Sequence, residues 1–205
     1  NLTKQKERGF LMANSTSITY RLKRKILSFT NKISLSLSKP ERKFTADMVY
    51  GILASRNCLL TDISDQLHET THKINTVKRL SNHLSEGTPS SAATSYLHTV
   101  KRLLPSDPVV LIDESDIVKP DGKQFEALGI VRDGSESTQT KSVYKKGYHV
   151  TEACALTASK HPVSVFSMIH SSAEKDYKSV NTITFDAIKQ AAALFGKATF
   201  VMDRG

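Results

Sequence analysis

Apolar residues recur every three or four positions through the first hundred residues of the chain. After Pro105 they gather instead into short runs bounded by turn residues. Ile18, Leu22, Ile26, Phe29, Ile33 and Leu37 lie on one stripe and predict a helix from Met12 to Lys39, which Pro40 is expected to end. Phe44, Met48, Val49, Ile52 and Leu53 predict a second helix closing near Arg56. Thr61 is placed to cap a short third one through Leu67, with Asp62 in its first turn. A break at 69–71 precedes another stripe, Ile74, Val77, Leu80 and Leu84. The turn-rich stretch 86–91 (EGTPSS) leads to a short helix over 92–104.

The second half reads differently. Residues 109–113 (VVLID) are a buried strand, and 117–142 are rich in Gly, Asp, Ser and Thr and predict a long loop. Residues 148–158 and 163–170 are strands about an SKHP turn. Val180, Ile183, Ala187, Ile188, Ala191 and Leu194 mark a helix over 177–195, with Gly196 placed to end it. A fourth strand over 198–202 delivers Asp203. The expected class is α/β: an all-helical N-terminal region followed by a β-β-β-α-β domain. The expected division is an upstream extension (1–11), a basic helical domain (12–86), a linker with a short helix (87–107) and the strand-rich part (108–205).

Charge sharpens this division. The net charge is +9, and residues 1–84 carry 15 Lys and Arg against 6 Asp and Glu, so the later residues balance. A basic module joined to a neutral one points to a polyanionic partner, with nucleic acid foremost. The short helix, tight break and longer helix over 61–84 are compatible with a helix-turn-helix. Arg21, Arg24, Lys25, Lys32, Lys73, Lys78 and Arg79 are the candidate DNA contacts there, with Lys119 further on. The same residues also suit a solvated face on core helices, and the acid-free, Arg- and Ser-rich N-terminus also resembles an organelle transit peptide. Two cysteines without CxxC spacing exclude a cysteine-type zinc site and suggest a reducing compartment. No apolar run approaches the roughly 18 residues a membrane helix needs.

Two motifs carry candidate chemistry. Residues 68–72 (HETTH) fit HExxH, but a zinc protease needs both histidines on one continuous helix and a third ligand. Two central threonines and the surrounding basic pattern make this a chance match. Asp113 and Asp203 are the stronger pair. If the fourth strand lies parallel beside the first, both aspartates reach one edge of the sheet, where paired carboxylates favour a divalent cation such as Mg²⁺ or Mn²⁺. Glu114 is the rival to Asp113, although alternation puts the two on opposite faces.

The stretches LIDESDIVKP, KKGYHVTEACAL and FVMDRG resemble bacterial insertion-sequence transposases of the DDE class, nearest to the insertion-sequence-four family. The resemblance spans roughly residues 45–205. It implies an RNase H-like catalytic domain, here partial, with Asp113 and Asp203 matching the first two catalytic acids. It further implies two metal ions, double-stranded DNA partners (transposon ends and target), a homodimer, and a bacterial, nucleoid-associated location in the cytoplasm. The family's third acid, a Glu in a Tyr-x-x-Arg-type motif, would lie beyond residue 205. The expected function is therefore that of a C-terminally truncated transposase. A non-catalytic, inhibitory DNA-binding form and a different RNase H-like nuclease stand as alternatives.

Overall fold

The computed structural model describes residues 19–87 and 90–203, and the chain divides into two compact units, residues 1–99 and 100–205. The expected upstream extension (1–11) and Ile18 lie outside the described residues.

In the first unit, α1 covers residues 19–33, α2 Lys39–Ser55, α3 Leu60–Leu67 and α4 Lys73–Glu86, followed by α5 (Ser90–Lys101). Pro40 does not end the first helix but opens the second. It sits in the first turn of α2, where its missing N–H costs no hydrogen bond. Ser38 and Glu41 form a reciprocal capping box around it, the Ser38 amide donating to Glu41 Oε2 at 2.8 Å. Thr61 lies inside α3 and does not cap it. The turn before α3 is held instead by Asn57, whose Oδ1 accepts from the Leu59 amide at 3.0 Å and whose Nδ2 donates to Asp62 at 2.7 Å.

Phe44, Ile63 and Leu80 contribute one buried side chain each from α2, α3 and α4, with Met48, Ile52, Leu60 and Leu67 packed around them. The three helices thus share one small core. Gly51 permits the closest approach: a Cβ there would stand 2.4 Å from Ile63 Cγ2. Phe29 of α1 meets Tyr96 of α5 edge-on, with ring centroids 6.4 Å apart.

The second unit is a five-stranded mixed sheet with one helix on a face. Its elements are β1 (Val109–Val118), β2 (Gly129–Arg132), β3 (Tyr144–Leu156), β4 (Pro162–His170), α6 (Val180–Phe195) and β5 (Thr199–Met202). β3 is antiparallel to β1 along one edge and to β2 and β4 along the other. β5 returns across α6 to lie parallel to β1. Two expectations are corrected here. β1 does not stop at Asp113 but runs to Val118, because β3 offers a partner all the way to Gly147. The expected loop over 117–142 contains β2, which pairs with the start of β3.

Val110, Ile112, Thr151, Ala153, Ala155 and Val165 are buried on the face that α6 covers with Ala187 and Ala191. Alanines let a helix approach a sheet closely. A register shift near Ala153/Cys154 leaves Val165 as an extra residue in β4, and Gln190 Nε2 of α6 donates to its carbonyl at 2.7 Å. Ser179 caps α6, accepting from the Thr182 amide at 3.3 Å, and Gly196 at φ 77° closes it.

Candidate functional site

The parallel register of β1 and β5 pairs Ile112 with Met202, so the next position on each chain is Asp113 and Asp203. The antiparallel register of β1 and β3 pairs Asp113 with Glu152. Three acids on three neighbouring chains therefore fall in one row. Glu152 sits inside β3, where nothing in the local sequence marks it as a partner of Asp113. Only the strand register brings it opposite Asp113, and that register is a long-range property no local pattern displays. Asp113 shares its face with Val109 and Leu111, opposite α6, where both apolar side chains remain exposed. Cys154 lies on this face too, its Sγ 3.7 Å from Glu152 Oε1; burial and the neighbouring carboxylate push its thiol pKa up.

The donor set of this row is all oxygen, which suits a hard divalent cation. Asp113 and Asp203 supply two carboxylates from adjacent chains. Among the described residues, no three His, Cys, Asp or Glu side chains converge closely enough to hold a metal ion.

Glu114 and Asp116 alternate onto the helix-covered face. Thr184 Oγ1 of α6 donates to Glu114 Oε1 at 2.9 Å, so the rival to Asp113 is held on the other side of the sheet. Asp116 Oδ1 lies 2.7 Å from His149 Nδ1, and the His149 ring stacks on His170 with centroids 5.6 Å apart. His170 is fully buried. Its Nε2 meets Thr151 Oγ1 at 2.9 Å, its other face stacks on Tyr177 at 5.9 Å, and its Nδ1 has no hydrogen-bond partner. Burial and the nearby His149 lower its pKa below the ordinary value.

In the helical unit, the exposed side of α4 presents Asn75, Lys78 and Asn82, which line a shallow cavity of about 450 Å³ together with Arg79, His83 and Glu86. Lys78 has no ion-pair partner among the described residues. Lys73 pairs with Asp65 at 2.7 Å. Arg79 is committed inward: its guanidinium reaches Asp47 at 2.7 Å and Glu69 at 3.1 Å, while Lys43 bridges the same two carboxylates at 2.8 and 2.5 Å. Thr76 Oγ1 adds a bond to Glu69 at 2.7 Å. With Lys43 first among its partners, the Glu69 carboxyl is held down to about 2. Arg79 therefore ties α4 to α2 and to the turn before α4. Arg21, Arg24, Lys25 and Lys32 are exposed on α1, and Lys119 is exposed just after β1.

The HETTH match dissolves for a geometric reason. His68 ends α3 at φ 51° and His72 precedes α4, so the two histidines stand on separate elements, and Glu69 between them is fully engaged by Lys43, Thr76 and Arg79.

No protein-family model matches this sequence, and no curated protein matches it, so the reading of these sites rests on their own geometry. No helix among the described residues is long and apolar enough to cross a membrane.

Proposed function

We propose that the chain carries the DNA-binding region and the first two catalytic acids of a DDE-type transposase. The single observation that carries the reading is the register of β1 with β5, which brings Asp113 and Asp203 to matching positions on adjacent parallel chains. The order β4-β3-β1-β5, with β1 and β5 parallel across α6, supports reading the sheet as RNase H-like. Asp113 and Asp203 would hold Mg²⁺ or Mn²⁺, which when bound activates water and stabilises the leaving oxygen in phosphodiester cleavage. The partner is double-stranded DNA, met by the exposed Asn75, Lys78 and Asn82 of α4, where amide and ammonium groups suit base edges and phosphates. Action as a homodimer in the bacterial cytoplasm, at the nucleoid, belongs to the same proposal.

The test has two parts. The chain binds duplex DNA with an affinity that falls steeply between roughly 50 and 200 mM salt. In a version that carries the genomic continuation past Gly205, Asp113→Asn and Asp203→Asn each abolish Mg²⁺-dependent end cleavage while binding persists. Cleavage at the wild-type rate by either variant removes that residue from the site. A second reading, a DNA-binding protein that occupies transposon ends without cutting them, is favoured by the α4 surface alone. Duplex binding with no cleavage by the extended chain would establish it.

A further inference from the structure

A second surface on the acid-bearing face has no part in the reading above. Alternation along β3 places Tyr144, Lys146, Tyr148, Val150 and Glu152 on one face, that of Asp113. The β2 register adds Ile130 opposite Lys146 and Arg132 opposite Tyr144. Tyr144, at the start of β3, is 64% exposed, and Ile130, on the edge strand β2, is 57% exposed, so an aromatic ring and an aliphatic side chain both stand in solvent at this end of the sheet. Arg132 and Lys146 are exposed, and Lys119, whose amide donates to the Lys146 carbonyl at 2.7 Å, is exposed beside them.

None of these three cations has an ion-pair partner among the described residues. The neighbouring cation, Lys145, is of the opposite kind. It alternates to the other face and is neutralised by Asp133 at 2.9 Å and Glu136 at 2.5 Å. The ribbon thus sorts its charges: ion pairs on one face, free cations around an exposed aromatic ring on the other.

We propose that this ribbon binds a single-stranded stretch of DNA and leads it toward the acid row. Lys119, Lys146 and Arg132 take successive phosphates, and a base stacks on the Tyr144 ring. Duplex would leave that ring idle, because paired bases keep their faces in the stack, whereas an unpaired strand offers both charge and π-face. Six residues of β3 separate Lys146 from Glu152, about 20 Å at the rise of a strand, so a strand lying here passes a few nucleotides from the acids. The assignment rests on the transposase reading for its choice of DNA, but not for the surface itself.

The test is fluorescence anisotropy of the full chain with a labelled oligothymidine and, separately, a duplex of mixed sequence. Arg132→Ala combined with Lys146→Ala is expected to weaken oligothymidine binding about tenfold and to flatten its salt slope by roughly 1.4, the share of two phosphate contacts on a single strand. Tyr144→Ala weakens it by a similar factor and Tyr144→Phe restores it, which a charge effect alone would not give. Lys189→Ala, on α6 across the sheet from the ribbon face, leaves oligothymidine binding unchanged. Unaltered single-strand affinity in the double variant overturns the ribbon assignment while the wild-type duplex binding keeps the transposase reading alive. An equal loss on duplex and single strand also overturns it, since the ribbon would then serve duplex. A wild-type chain that binds neither probe overturns both.

Discussion

Asp113 of β1 and Glu152 of β3 are direct register partners in an antiparallel pair, on the sheet face that α6 leaves open. Two carboxylates in that relation repel, and a like-charged pair directly opposite lowers the stability of a sheet. Asp203 follows the residue that pairs with Ile112, so a third negative charge lies on the next chain. The row is electrostatically unfavourable as it stands, and the cation proposed for Asp113 and Asp203 would relieve that repulsion.

In the presence of a chelator, Glu152→Gln or Asp113→Asn raises thermal stability slightly, by about 0.5 kcal/mol. Millimolar Mn²⁺ raises the wild-type Tm and has a much smaller effect on Asp113→Asn/Asp203→Asn. An equal Mn²⁺ shift in that double variant would place the ion elsewhere.

A second prediction concerns acid. His170 is buried between His149 and Tyr177, with Glu114 and Glu174 nearby and Thr151 on its Nε2. Its folded pKa is lowered, so the unfolded chain takes up a proton near the ordinary value of 6.5 while the folded chain stays neutral. Stability is therefore complete above about 6.5 and declines as pH falls from there to the lowered folded value, below which this group adds no further slope. Urea midpoints measured across that window fall for the wild type, and His170→Gln flattens the decline. An unchanged slope in His170→Gln would move the effect to another group.

The packing of α2 on α3 gives a third. Ala normally improves a helix over Gly, but at Gly51 the added Cβ meets Ile63 Cγ2 at 2.4 Å. Ile63 is wholly buried and has little room to give. Gly51→Ala is expected to destabilise the helical unit by about 1–3 kcal/mol, read from denaturant unfolding. A gain in stability would mean that the helices separate readily at this point.

How far the sequence displayed these relationships depends on their range. Helix α4 was legible from its periodicity, yet the structure buries Thr76 and Leu80 and leaves Ile74 and Leu84 exposed. Periodicity finds a helix, but the buried stripe is chosen by tertiary partners, here Glu69 receiving the Thr76 hydroxyl. β1 looked finished at Asp113 because Glu, Ser and Asp are poor strand formers. Nine residues of β3 pair with it regardless and carry it to Val118. Prolines break helix interiors, so Pro40 reads as a stop in isolation, whereas the capping box at Ser38 and Glu41 makes it a start. Asp113 and Asp203 stood out because each follows an apolar run, while Glu152 sits inside a strand and has meaning only through the register of β1 with β3.

Lys78 and Arg79 are adjacent on α4, and both were candidate DNA contacts. Arg79 bridges Asp47 and Glu69, whereas Lys78 faces outward beside Asn75 and Asn82. Arg79→Met removes hydrogen bonds to two partly buried carboxylates and is expected to cost about 1–3 kcal/mol of stability. The carboxyl of Glu69, held down to about 2, contributes stability that is present above its ordinary 4.5 and lost as pH falls toward 2. Arg79→Met therefore also shrinks the loss of stability over that acid window. Lys78→Ala leaves the unfolding midpoint within about 0.5 kcal/mol of wild type and flattens the salt slope of duplex binding by about one. Unfolding curves and salt titrations on the two variants decide the matter. A stable Arg79→Met chain that has lost DNA binding would return the guanidinium to the DNA interface and undo its assignment as a tie between helices.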